Sequence, residues 1–482
     1  SMKSYIYYQD GAEYPKDQYF RPAKVYPEYP YLRLGLSEQN NDVYDMIRSM
    51  FISLALDMDH IGTSEWNPLG DYIKPGNVIL IKPNWVKHQN DAIKGKKGLE
   101  CLVTNTSIVK CVIDYAMIAL KGKGKIIVAD APVQSCDFEK LKKNAGLCQL
   151  EEFYKKAGAS VEFADLRNYR SYRKKGSIVT ATTDAVYQGK IIDLGKDSYF
   201  YGNCKEGKLR ITNYDFRNVN MHHKGKVQEY CISEACLVAD VIINLPKPKT
   251  HRKAGFTGAL KNMVGISAMK DYLPHHTKGS YLLKEGDEYY SKSKIAGIKS
   301  NINDWIDILD KKALFFFSRV LQQILGVLSE NQNDTERYSE GSWWGNDTIW
   351  KTILDINKIV LYADKHGQIR KDRQRRVITI GDMIVSGEGE GPIAPSPKKT
   401  NSIIFADNSV VFDEILVRFM GFEESKFRLL QEAKRNRKLF EGNIEECEIA
   451  SNCERFCGKA SELKGIYKFI PSEGWKGYIE KR

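Results

Sequence analysis

Between residues 240 and 266 the chain places Asn244, Lys247, Lys249, His251, Arg252, Lys253, Thr257, Lys261 and Asn262 directly after an apolar stretch, with two prolines and three glycines among them. Amines and an imidazole at this density are the groups that hold an anion and move a proton. Lys249 close to His251 disfavours the imidazolium, which predicts a neutral ring at neutral pH, suited to a general base or a metal ligand. The glycines predict close backbone approach to a ligand, and the start of a helix after them favours an anion. The expected catalytic residues are His251, Lys249 and Lys261. The expected substrate-binding residues are Lys82, Asn84, Asn244, Lys247, Thr257, Gly258 and Asn262.

Carboxylates end other apolar runs. Asp130 closes 125–132, and Asp382 and Glu388 lie in 377–392, which finishes as Gly-Glu-Gly-Glu-Gly-Pro. With His251 and His276 they form the expected set for a divalent metal; each carboxylate reads equally as a cap or a solvated turn. Thr104, Asn105 and Thr106 are N-cap residue types, or an anion site at the same helix start. No His-x-x-x-His pair occurs, so a metal site has to be assembled from distant segments.

These residues need elements to present them. The runs 78–86, 125–132, 240–245 and 377–392 are continuous aliphatic stretches ending in polar residues. Helical spacing lies between them, at 41–56 and 109–120. That alternation predicts an α/β fold with mostly parallel, Rossmann-like sheets, whose strand carboxyl ends are the place for a ligand. Two lobes are expected: residues 1–235, with a polar insertion near 166–228, and residues 236–482, with a helical insertion near 282–347. The apolar segment 313–328 is too short and interrupted to span a bilayer and reads as a core or partner-facing helix.

Composition narrows the classes. At 482 residues, 42% hydrophobic and a formal charge of +12, the chain is globular and moderately basic, which suits an anionic small molecule. No long Lys/Arg block is present, so nucleic acid is not the expected partner; a homo-oligomer is admitted. No secretory signal is visible, and a cytoplasmic location is expected. Ten cysteines are scattered, and Cys447, Cys453 and Cys457 lack the tight Cys-x-x-Cys spacing of ferredoxin-type clusters. A ferredoxin-type iron–sulfur cofactor is therefore not expected; a divalent metal is the cofactor the residues suggest, and its identity stays open.

Lys-Pro-Asn at 82–84, Asn-Leu-Pro-Lys-Pro-Lys-Thr-His at 244–251, Thr-Gly-Ala-Leu-Lys-Asn at 257–262 and Gly-Glu-Gly-Pro at 389–392 resemble the family named domain of unknown function 362. Asp407 to Asp413, Met420-Gly421 and Ser-Glu-Gly-Trp at 472–475 continue the resemblance, the last being similar to the long form associated with polysaccharide gene clusters. A shorter stretch, His251-x-x-Ala-Gly-Phe-x-Gly-Ala-x-Lys261 followed by His276, resembles the cofactor-contacting segment of nickel-pincer lactate racemase. That second resemblance implies two α/β lobes closing over a cleft, with His251 and His276 placed for proton transfer or metal contact and Lys249 or Lys261 near a cofactor or carboxylate. The function expected is an enzyme acting on a sugar acid, phosphosugar or nucleotide-sugar by racemisation, epimerisation or group transfer. The alternatives are a redox or metal-cluster protein using Cys447, Cys453 and Cys457, and a non-enzymatic protein that binds acidic glycan.

Overall fold

The computed structural model describes residues 2–175, 177–329 and 338–481. The aliphatic runs form strands because they can be buried on both faces, and they assemble around the middle of the chain. The first part supplies β1 (Ser4–Tyr8), α1 (Asp42–Ser53), β2 (Val78–Pro83), α2 (Thr106–Leu120), β3 (Lys125–Asp130) and β4 (Val161–Asp165). A hairpin of β5 (Tyr169–Lys174) and β6 (Ser177–Thr182) follows, then the short β7 (Leu209–Arg210). The basic run makes β8 (Val241–Leu245), β9 (Lys249–His251), β10 (Gly255–Thr257) and α3 (Ala259–Asn262). After it come β11 (His276–Thr277), α4 (Lys294–Lys311), α5 (Phe315–Ser329) and α6 (Ile349–Tyr362). The chain finishes with β12 (Arg376–Glu390), β13 (Ala394–Ala406), α7 (Ser409–Phe419), β14 (Glu448–Ser451) and β15 (Gly458–Lys459).

Among the described residues one sheet of 11 strands dominates, ordered β15-β14-β1-β13-β12-β8-β2-β3-β4, with β9 and β10 attached at β12. The stretch β12-β8-β2-β3-β4 is parallel, whereas β13 runs antiparallel to β12 and β1 antiparallel to β13. This is the α/β architecture expected, with a mixed, mostly parallel sheet. Strands from both sides of residue 235 share it. Alternation sends Ile79, Ile81, Ile126, Val128 and Ile243 to one buried face and Leu80, Ile127, Ala129 and Ile242 to the other.

Helix α2 begins three residues earlier than its apolar spacing suggests, because the Asn105 side chain accepts from the Ser107 N–H at 3.0 Å and caps it. The polar insertion carries the β5–β6 hairpin and a strand pair, Gly189–Asp193 with Val227–Ser233. The helical insertion carries α4 and α5; its residues 330–337 lie outside the described residues. The Gly-Glu-Gly-Glu-Gly stretch, expected as an acidic loop, is instead the last part of strand β12, with Glu388 opposite Ser396 and Glu390 opposite Ala394. Glycines there leave room for another chain: a Cβ on Gly387 would stand 2.8 Å from the Lys249 Cβ. No helix among the described residues is long and apolar enough to cross a membrane.

Candidate functional site

The register of β8 against β2 sets Asn244 beside Lys82, so both side chains emerge together at the strand ends. The Asn262 amide donates to the Lys82 carbonyl (3.1 Å) and to Asn244 Oδ1 (2.7 Å), while Asn244 Nδ2 donates to the Ala259 carbonyl (2.8 Å). These bonds fix α3, and with it Lys261, against the sheet. The Lys82 ammonium is buried and paired with Asp130 at 2.7 Å; Asp130 also accepts from the Trp85 and Ala131 N–H groups. Lys247 is likewise buried against Asp382 at 2.7 Å, and Tyr14 and the Asn105 N–H complete that carboxylate's shell.

Lys249, Lys261 and Lys270 differ. None of the three has a carboxylate partner among the described residues. Lys249 is fully buried, and its ammonium donates to the Leu102 carbonyl. Burial first, then the charge of Lys247, lowers its pKa to about 7. Burial, then Lys270 and Lys82, lowers Lys261 to about 7. Lys270, on the turn after α3, is lowered to about 8 by burial, against the opposing pull of Asp130. Lys261 and Lys270 are half-buried residues rather than sealed ones, and neither is paired with a carboxylate among the described residues.

Three histidines stand beside them, in two different states. His251 is nearly buried, and its Nδ1 accepts from the Lys253 and Ala254 N–H groups, both at 3.1 Å. Its proton therefore sits on Nε2, and the ring presents a donor. Burial, then Lys261 and His275, hold its pKa well below the usual histidine value. His276 Nδ1 faces the Lys253 ammonium at 3.3 Å, which gives that ring the same tautomer. His275 is the reverse: its Nδ1–H donates to the Leu273 carbonyl at 2.8 Å, which leaves the lone pair on Nε2. Burial, then Lys253, lowers His275 to about 3.

The structure corrects several expectations. The glycines of the basic run make room for the protein's own side chains, not for a ligand's approach to backbone. A Cβ on Gly258 would lie 2.1 Å from Asp413 Oδ1, and one on Gly265 2.0 Å from Asp130 Oδ1. The start of α3 is already occupied: Asp413 accepts from the Ala259 N–H (2.6 Å) and the Leu260 N–H (3.1 Å). Gly258 and the helix start thus hold no ligand anion. Burial raises Asp413 to about 7 despite these bonds.

The expected metal set, His251, His276, Asp130, Asp382 and Glu388, does not converge. No three His, Cys, Asp or Glu side chains form a metal-holding group among the described residues. The reason is local pairing: Asp130 and Asp382 each hold a lysine, and Glu388 accepts from the Ile470 N–H with Lys398 beside it. As placed, these five side chains do not fit a divalent cation. Cys447, Cys453 and Cys457 are free thiols around β14, one buried, one half-buried and one exposed.

Of the remaining expected residues, Asn84 forms a turn with Val86 and donates its N–H to Thr104. Thr257, opposite Lys249 in the β9–β10 pair, has a buried hydroxyl with no hydrogen-bond partner among the described residues. Lys270 and His275 are beside these residues and are not among the candidate site residues that the sequence suggests. The signal available was the His-His pair five residues beyond Lys270 and the proline before it. The C-terminal Ser-Glu-Gly-Trp segment covers the run from outside, where Trp475 Nε1 donates to the Arg252 carbonyl at 2.6 Å.

Comparison with known proteins adds a family and little else. No curated protein matches the chain. A crystal structure of a Thermotoga maritima protein is similar at 10% identity with a TM-score of 0.29, covering 74% of this chain and 54% of that one, so the chain spans about half the length of that protein. A model of the family described as "Domain of unknown function (DUF362)" matches residues 174–418, which takes in the basic run, the three histidines and both Asp382 and Asp413; the chain belongs to the DUF362 family.

Proposed function

We propose that this protein is an enzyme that binds a small anionic molecule, a sugar acid or a sugar phosphate, against Lys261 and Lys270 and moves a proton beside it. The observation that carries the reading is the set of lysines left without a carboxylate at the strand ends, two of them in reach of solvent. Burying an ammonium without a counter-charge destabilises a fold, and an anionic ligand supplies what the chain withholds.

The histidines support proton transfer. His251 offers Nε2–H and can donate to oxygen on which negative charge develops, as a neutral imidazole held below its normal pKa does. His275 offers a lone pair at Nε2. Burial first, and then Lys253, Lys261 and Lys270, suppress its basicity, and an anion would offset the lysine charges but not the burial. Ligand binding therefore raises the basicity of His275 when a substrate is present. A proton leaving a carbon next to a carboxylate would go to His275 Nε2, and the enolate oxygen would accept from His251 Nε2–H; return of that proton from His275 restores the same face and gives exchange, while racemisation or epimerisation requires a second proton donor on the opposite face.

The test is a calorimetric screen of sugar acids, sugar phosphates and nucleotide-sugars, followed by incubation of each ligand in deuterated water with loss of its C–H signal read by NMR. Binding plus exchange, with exchange lost and binding kept in His275→Gln, supports the enzyme. Binding with no exchange for any ligand reduces the protein to a binding module for acidic glycan. No binding in the screen sinks both readings.

A further inference from the structure

Helices α4 and α5 pack on each other and against β6, and otherwise stand clear of the sheet. In α5 only Ser318 is buried among the described residues. Phe316 is 73% exposed and Val327 63%, with Phe317, Val320 and Ile324 also exposed. At roughly 100° per residue these five side chains fall within an arc of about 100°, one continuous apolar stripe. Leu314 in the turn and Trp305 on α4 are exposed beside it. On the same wheel Arg319 lies about 60° beyond one edge of the stripe, and Lys311 and Lys312 lie at the turn before α5; residues 292–329 hold six Lys and Arg (292, 294, 299, 311, 312, 319) against three Asp, and Asp304 is already paired with Arg210 and Lys278.

We propose that the α4–α5 hairpin docks on an anionic lipid surface, laying the α5 stripe into the headgroup–acyl boundary with Lys311, Lys312 and Arg319 on the phosphates. An apolar stripe rimmed by Lys and Arg, with aromatic residues at a helical turn, is the chemistry that lies in a bilayer interface without crossing it. A second copy of the chain is the weaker occupant. In a two-fold contact over this stripe Arg319 meets no carboxylate of the other copy's α5, since residues 315–329 contain none, so charge does not favour that contact.

The test uses the full chain with vesicles of phosphatidylcholine, with and without phosphatidylglycerol, read by flotation, and light scattering for the oligomeric state. Expected are flotation with the anionic vesicles only, weakening as salt rises, and at least a tenfold loss in the double variant Phe316→Ser, Phe317→Ser. Lys311→Glu with Lys312→Glu weakens binding more at low salt than at high salt. These side chains are exposed, so unchanged melting temperatures are expected and separate lost docking from lost fold. Absence of flotation for the native chain, equal flotation with neutral vesicles, or a dimer that the phenylalanine substitutions dissolve without any vesicle binding would overturn the proposal.

Discussion

Two groups of lysines meet at the carboxyl ends of the sheet, and the fold treats them in opposite ways. Lys82 and Lys247 sit on the sheet's own strand ends, each within 2.7 Å of a carboxylate from a neighbouring strand. Lys249, Lys261 and Lys270 sit on the β9–β10 hairpin, on α3 and on the turn beyond it, and among the described residues no carboxylate comes within ion-pair distance of them, Asp130 acting only from further off. The first group neutralises charge within the fold and serves stability. The second carries buried amines without a paired carboxylate, the charge that the proposed function assigns to an anionic ligand. Proximity in sequence does not separate the two groups, since Lys247 and Lys249 are two residues apart; the partner across the sheet does.

The largest effect expected is from Lys247→Met, which strands the fully buried Asp382. A loss of roughly 3–5 kcal/mol in denaturant unfolding is expected, whereas Asp382→Asn combined with Lys247→Met recovers part of it. If the single variant is as stable as the native chain, the pairing at this end has been misassigned. Lys261→Met inverts the outcome. Removing an uncompensated cation is expected to raise the melting temperature while weakening anion binding by about 10- to 100-fold. A variant that melts lower and binds equally well would erase the distinction between the groups.

The pH dependence sharpens it. Lys249, Lys261 and Lys270 titrate at about 7, 7 and 8 in the folded chain, below an ordinary lysine. The unfolded chain keeps those protons to about pH 10. Folding therefore sheds protons, and the stability of the unliganded protein rises as pH climbs from about 6 towards 10. Asp413, raised to about 7, acts in the opposite direction between about pH 4 and 7, as its buried carboxyl loses its proton. Anion affinity follows the protonated amines and is expected to fall from pH 6 to pH 9. Calorimetry at three pH values reads this directly, and a flat profile would remove the amines from the site. The smallest effect expected is from Asp413→Asn. One amide oxygen replaces two acceptors at the start of α3, with a cost of about 1–2 kcal/mol and a modest loss of binding through the displaced Lys261.

Much of this fold is legible in the sequence because aliphatic runs with polar ends have few uses other than as buried parallel strands. The basic run is legible as a site for the same reason: its amines follow a strand directly. The pairing of those amines is not legible. Asp130, Asp382 and Asp413 each meet a group far away in the chain, and spacing within a turn carries no information about which carboxylate arrives across a sheet. The glycines were misread for a related reason, because a missing Cβ shows that something approaches closely but not whether it is a ligand or Asp413. Glu388 and Glu390 read as loop residues because Gly-rich acidic stretches are usually turns; here the long pairing with β13 overrides that preference. His276 was preferred to His275, although the deciding fact is a single backbone carbonyl, that of Leu273, which sets the tautomer.

A lysine that titrates near 7 is a free amine for much of its time at neutral pH, and a free amine is a nucleophile. Lys261, partly exposed and lowered to about 7, should therefore react with an amine-directed acylating reagent well ahead of the ordinary surface lysines, with Lys270 next. Lys249, equally deprotonated but sealed from solvent, should stay unmodified. The unpaired burial of these amines is thus also a chemical address, through which a covalent probe can mark the candidate site without any ligand in hand.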